Sequence, residues 1–341
     1  MARRPVAGRM LLAAACLVTC SVRAAEDVAP ADRITRDLRE AEAQRRATGI
    51  EGTWVDRLHD RLYLGVQDLI ERTDRRFARH DFTLLPVPAT PFRVGLGSEL
   101  IDRRDGVHVG TRINVDMLLR LPNIESRLDA FITSEDLQES PDRVDRHDDN
   151  LRAGLRFTTV GDLDLDVGVR VDTPPVAFTS LRWLRHVKAG RWDLQPFAKL
   201  YVESGEGLGV ASGITFDRWH DGWLLRASSY LDWSDVRDAT AWTQTLMLAR
   251  PRQIIRFGRY GPIVRGRDLA GGAALQLLVS GEDAWAADTC EVALQFKQAT
   301  RRRWLYWYVA PLLTWERSQD WKTQLGIRAG FDALFWDLSA R

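Results

Sequence analysis

From Phe92 onward, hydrophobicity in this chain alternates with a period of two, over runs that reach fifteen residues. The clearest run is Asp162–Val171. Leu163, Leu165, Val167, Val169 and Val171 share one side; Asp162, Asp164, Asp166, Gly168 and Arg170 share the other. A pleated strand places residues i and i+2 on one face, whereas a helix turns them far apart, so these runs read as strands. Val107–Leu121, Asn150–Thr158 and Trp321–Phe335 repeat the pattern.

Length narrows the choice of β architecture. Strands of water-soluble domains average about 5–6 residues, whereas a strand crossing a membrane needs about 9–11. Here the apolar side runs unbroken while the other side carries both Asp and Arg along its length. The chain holds 13 Trp, and Trp183, Trp192, Trp219, Trp233, Trp304 and Trp315 are among those falling near expected strand ends. An amphipathic ring suits the headgroup layer, which is where membrane barrels place their aromatic girdles.

Composition excludes several classes. Lys+Arg (48) and Asp+Glu (47) nearly cancel, so there is no basic surplus of the kind a nucleic-acid footprint requires. Past the N-terminus no apolar run approaches the roughly 20 residues of a membrane helix. That rules out a helical membrane protein and leaves a barrel open, since barrel strands are only half apolar.

The first residues read as an export signal. Three arginines within Met1–Arg9 precede the apolar stretch Met10–Val22, and Val22-Arg23-Ala24 offers a cleavage site. Cys16 and Cys20 lie inside this signal, so the mature chain keeps only Cys290 and forms no internal disulfide. Residues 26–50 are polar and helix-compatible. Thr53 with Asp56 then caps a clearer helix carrying an apolar stripe of Val55, Leu58, Leu62, Val66, Leu69 or Ile70, and Phe77. Pro86, Pro88 and Pro91 make a stiff link. The expected organisation is a signal peptide over 1–24, a periplasmic helical segment and link over 25–90, and a closed antiparallel transmembrane β-barrel over 91–341. Its apolar stripe argues for the helix lying in the periplasm or on the membrane surface, and against it plugging a polar lumen.

About fourteen strands fit the pattern, with twelve as the runner-up because the first strand and 251–268 are ambiguous. An even number returns the chain to its starting side. With the N-terminus in the periplasm, Leu137–Asp149 falls outside, where long loops belong. Leu121-Pro122-Asn123 and Trp219-His220-Asp221-Gly222 then fall on the periplasmic side as tight turns. The 251–267 stretch falls there as well and has no account beyond an extended hairpin or a piece inserted into the lumen.

The inward side supplies the candidate functional residues. Arg112, Asp116, Arg152, Arg156, Asp164, Asp166, Arg170 and Arg328 are expected to line the lumen, together with Arg93, Arg120, Asp129, Asp162 and Asp332. Such a mixed lining suits a water-filled pore. Catalysis finds little support: Ser98, the serine nearest His108 in sequence, faces the other way, and no Gly-x-Ser-x-Gly elbow occurs. The loop 135–149 holds seven acids without the spacing of a dedicated calcium site; a solvated outer loop, open to a tie to lipopolysaccharide through divalent ions, fits better. No cofactor or metal is expected.

Residues 52–340 resemble a family of uncharacterised proteobacterial outer-membrane barrel proteins. The resemblance is carried by Trp54-Val55-Asp56-Arg57, Phe92-Arg93-Val94-Gly95-Leu96-Gly97, Leu119-Arg120-Leu121-Pro122-Asn123, and Trp304-Leu305-Tyr306-Trp307-Tyr308-Val309-Ala310-Pro311 with Trp315. It implies the outer membrane of a Gram-negative cell, outer-membrane lipid and the barrel assembly machinery as partners, and no functional residues. One departure is the tail Asp337–Arg341 after Phe335 and Trp336, where such barrels end on an aromatic residue; an internal signal ending at Phe335 is the expected substitute. The expected role is a passive pore or an envelope structural protein. The alternatives are a lipid-modifying hydrolase of the same membrane and an exported soluble β-protein.

Overall fold

The computed structural model describes residues 53–77, 92–120, 128–134, 151–159, 162–205, 207–236, 239–251, 271–282, 286–302 and 304–335. The expected export signal over 1–24, the expected proline-rich link, the acidic 135–149 segment and nearly all of 251–267 lie outside the described residues.

Helix α1 spans Trp54–Phe77. Its N-terminus is capped as the sequence spells out. The Thr53 backbone N–H and hydroxyl both donate to Asp56 Oδ2, at 2.9 and 2.7 Å, so a donor with no partner in the helix ladder is satisfied by a side chain. Leu58, Leu62 and Leu69 of the apolar stripe are exposed, while Asp56, His59, Asp60, Tyr63, Ile70 and Asp74 are buried.

Fourteen antiparallel strands close into a barrel. The first seven are β1 (Phe92–Arg103), β2 (Gly106–Arg120), β3 (Leu128–Thr133), β4 (Arg152–Thr158), β5 (Leu163–Arg170), β6 (Val176–Leu184, resumed at Val187–Ala189) and β7 (Trp192–Glu203). The second seven are β8 (Gly207–His220), β9 (Trp223–Ser234), β10 (Ala239–Pro251), β11 (Gly272–Glu282), β12 (Thr289–Ala299), β13 (Leu305–Glu316) and β14 (Thr323–Phe335). Each strand pairs with its sequence neighbours, and β1 pairs with β14 from Phe92↔Phe335 to Asp102↔Leu325, so no edge is left open. The Phe92 and Phe335 rings stack at the seam, with centroids 4.2 Å apart. The break in β6 has a local cause. Register places Arg185 opposite Pro196, which has no N–H to return to the ladder, and only the Arg185 N–H to Pro196 O bond forms, at 3.1 Å.

The turns follow the same logic. Asp221 and Gly222 take φ of 48° and 78°, the two left-handed positions of a two-residue hairpin between β8 and β9. That turn lies at the end of the barrel where the chain enters β1 and leaves β14, called the terminal end below. The β1–β2 turn at Arg104-Asp105 and the β3–β4 connection lie at the opposite rim.

The valine- and leucine-rich side of the strands faces outward. Leu96, Ile113, Val167, Leu200, Leu246 and Leu325 are all exposed, while their neighbours in sequence turn inward. Outward tryptophans form two levels: Trp183, Trp192, Trp223 and Trp307 towards the terminal end, and Trp233, Trp242 and Trp315 towards the opposite rim. Two tryptophans depart from the girdle expectation. Trp219 packs inward against the buried Leu224, Met247, Ala249 and Ala274, and Trp304 is buried beside β13. Each has the opposite parity to the outward residues of its strand.

Inside, aromatic rings lie across glycines on the neighbouring strand. Register sets Phe131 opposite Gly154, Phe178 opposite Gly168, Phe197 opposite Gly213, Tyr201 opposite Gly209 and Tyr308 opposite Gly330. The missing Cβ lets each ring lie flat on the backbone, which protects a weak strand position and fills the curved wall. At Gly209 the three atoms nearest an added Cβ all belong to Tyr201, closer than any real contact. Gly209→Ala is therefore expected to cost about 1–3 kcal/mol by overpacking. Tyr201→Ala in the same chain should remove that clash, so a double-mutant cycle in chemical denaturation should give a coupling of similar size.

Candidate functional site

Alternation along each strand directs one charged set inward, and pairing between strands decides which charges meet. Arg156 on β4 lies opposite Asp166 on β5 and binds it with two parallel bonds, Nε to Oδ1 at 2.7 Å and Nη2 to Oδ2 at 2.8 Å. Arg182 on β6 lies opposite Asp164 and donates to it at 2.8 Å; both are almost fully buried. Arg170 donates to Glu203 at 2.7 Å, and Arg152, directly opposite Arg170, approaches the same carboxylate at 3.8 Å. Two like charges face each other there because β7 supplies an acid that both can reach. Arg226 on β9 and Asp217 on β8 form a second two-bond pair, each contact 2.6 Å.

The other half of the wall repeats the device. Arg328 on β14 bonds Glu291 on β12, Nη1 to Oε1 at 2.7 Å, and also contacts Glu99 on β1. Lys297 pairs with Asp332. Rings sit beneath several of these cations: the Arg156 guanidinium is 5.2 Å from the Phe131 centroid, Arg152 is 5.8 Å from Phe178, and the Lys199 ammonium is 5.0 Å from Tyr201. A buried cation held by a carboxylate on one side and an aromatic face on another offsets part of its desolvation cost. The Tyr201 hydroxyl donates onward to Asp232 at 2.7 Å.

Arg112 and Asp116 sit half-buried on the inward side of β2. Arg112, Glu99, Arg103, His108, Tyr308 and Arg328 border a recess of about 210 Å³ towards the opposite rim. Its floor is kept low by Gly97 and Gly110; the Tyr308 hydroxyl occupies the place a Gly97 Cβ would take. At the rim, His108 Nε2 lies 2.8 Å from Asp105 Oδ1. That hydrogen bond, with the charge of His108 and Arg103 behind it, holds the Asp105 carboxyl below the usual carboxylate range. Ser98 belongs to the outward side of β1. Among the described residues no group of three or more His, Cys, Asp or Glu has metal-holding geometry.

The structure thus brings Arg152, Arg156, Asp164, Asp166, Arg170 and Arg328 into ion pairs on the inward wall. One expectation is corrected. Asp162 does not join that wall; it sits exposed in the β4–β5 turn with φ of 66°, because the strand starts one residue later. Sequence reading alone missed Arg182, Lys199, Glu203, Asp217, Arg226 and Glu291. All have inward parity, and all sit in strands whose inward side also carries aromatic or small apolar residues, such as Phe197, Tyr201 and Ala293.

No protein-family model matches the sequence, and no characterised protein matches it as a relative. The fold is a closed antiparallel β-barrel with an apolar outer face. Solved structures of similar shape include a loop-deleted OmpT of Vibrio cholerae (10% identity, TM-score 0.39, 71% of this chain and 98% of the other). Also similar are an anion-selective porin from Comamonas acidovorans (10%, 0.39, 72% and 98%) and OccK11 of Pseudomonas aeruginosa (8%, 0.40, 73% and 96%).

Proposed function

We propose that this barrel is a passive pore of the outer membrane, lined by paired charges and performing no chemistry. The observation that carries the reading is the division of faces: leucine and valine outside, arginine–carboxylate pairs inside, around a ring with no open edge. A structural protein of the envelope needs the outer face alone; a polar inner wall is what water and small solutes require. Arg112, Asp116, Arg152, Arg156, Asp164, Asp166, Arg170 and Arg328 are assigned to the pore lining. The terminal end, with helix α1, is assigned to the periplasm, and the acidic 135–149 loop to the outer surface beside lipopolysaccharide. Insertion is assigned to the barrel assembly machinery.

Paired charges leave the inner wall with little net charge, so a pore of this kind should discriminate weakly between cations and anions. Purified protein added to a planar bilayer is expected to give stepwise conductance with a reversal potential near zero in a potassium chloride gradient. Silence at high protein loading would exclude the pore and leave the envelope structural role.

A further inference from the structure

Among the described residues the two ends of the barrel differ in charge balance. At the opposite rim the exposed ionisable groups are dominated by acids, Asp102, Asp105, Asp172, Asp235, Glu282 and Asp320, with Arg104 tied to Asp320 at 3.3 Å and Arg317 tied to Asp288 at 2.9 Å. At the terminal end the described cations outnumber the acids: Arg185, Lys188, Arg191, Arg250 and Arg301 are exposed and Arg218 is half-exposed, against the exposed Asp162 and Asp221. Two of these cations lie on the lipid-facing surface itself. Arg218 on β8 has outward parity, opposite Trp192 on β7 and Leu225 on β9. Arg250 on β10 also has outward parity, beside Trp223 on β9.

Both guanidinium groups stack on indoles, Arg218 at 5.4 Å from the Trp192 centroid and Arg250 at 5.6 Å from that of Trp223. Among the described residues neither has a carboxylate partner, in contrast to the inward Arg226 on β9, between the two strands, which is held by Asp217. The stack places each planar fork at the girdle level with no carboxylate taking up its N–H donors. A fork held there with its donors unspent matches a phosphate diester, which it can bond with two parallel contacts. Four successive strands, β7 to β10, therefore present Trp–Arg–Trp–Arg at one membrane boundary.

We infer that Trp192–Arg218 and Trp223–Arg250 form a binding site for the headgroup phosphate of anionic glycerophospholipids in the leaflet at the terminal end. The inference rests on the membrane reading above and goes beyond it by naming a lipid class, a place and the residues. Each surface cation close to an anionic leaflet adds to binding, and a stacked, desolvated one adds more.

The test is native mass spectrometry of the full chain released from micelles holding equal phosphatidylglycerol and phosphatidylcholine. Retained lipid is expected to favour phosphatidylglycerol, and Arg218→Gln/Arg250→Gln should reduce that preference roughly tenfold. Trp192→Leu/Trp223→Leu should weaken it while leaving the charges in place. Arg104→Gln/Arg317→Gln at the other rim should leave it unchanged, and millimolar inorganic phosphate should not displace the lipid. An unchanged preference in both the arginine and the tryptophan variants, an equal loss in the rim variant, or displacement by phosphate would overturn the assignment. Heat-modified mobility on gels checks that each variant is folded. Conductance of the Arg218/Arg250 variant is expected to match the parent, so loss of lipid selectivity and failure of the pore are read separately.

Discussion

Leu246→Arg is expected to lower the unfolding free energy of the lipid-embedded barrel by about 2–4 kcal/mol, and Val107→Arg by no more than about 1 kcal/mol. Leu246 lies on the outward side of β10 opposite Ala227 and Leu277, between the outward Trp242 and Arg250, and is 47% exposed. Val107 is 66% exposed and sits one residue past the start of β2, at the rim. In water both positions would accept an arginine without penalty, since a surface substitution is ordinarily worth within ~0.5 kcal/mol. In hydrocarbon the cost depends on depth, because a charge near a girdle snorkels to the headgroups and one at mid-span does not. Guanidinium unfolding in phospholipid vesicles, followed by tryptophan fluorescence, measures the pair. Equal, near-zero costs at both sites would mean that water covers the outward face, and the membrane assignment would fall with it.

That experiment bears on the feature most legible in the sequence. Strict alternation over Val107–Leu121 and Asp162–Val171 placed β2 and β5 within two residues of their observed limits, because hydrocarbon outside and charge inside leave a period of two with no competing signal. The alternation is blurred in β7. There Phe197 and Tyr201 point inward beside Lys199, so a reading that equates inward with polar assigns the wrong residues to the lumen. Both rings are inward because Gly213 and Gly209 lie opposite them, and that is a statement about register between strands. Register likewise decided the ion pairs. Arg170 and Glu203 are 33 residues apart and on strands that are not neighbours, so each is visible as an inward charge and their contact is not. The apolar stripe of α1 is legible too, yet Leu58, Leu62 and Leu69 are exposed; Ile70, the alternative to Leu69, is buried, and the other buried positions include three aspartates. A heptad pattern identifies an amphipathic helix without stating which side will be covered.

The Arg226–Asp217 pair gives the sharpest measure of how wet the inner wall is. The two groups lie opposite each other on β8 and β9, 3% and 6% exposed, joined by two contacts of 2.6 Å. Asp217→Ala alone is expected to cost about 3–5 kcal/mol, because it strands a guanidinium in a site it cannot leave without unfolding the strand. The double variant Asp217→Leu/Arg226→Met keeps the volume, removes both desolvation costs and should return to within about 1 kcal/mol of the parent. The coupling between the two sites, read from unfolding of Asp217→Leu, Arg226→Met and the double variant, then approaches the sum of the two single costs. If water reached Arg226 freely, the single variant would lose no more than about 1 kcal/mol, as exposed pairs do, and the coupling would vanish with it. A large coupling here alongside stepwise conductance would place the conducting water away from this stretch of wall, towards the recess bordered by Arg112, Glu99 and His108. There the inward side chains of β2 are already exposed or half-exposed and the glycine floor leaves room.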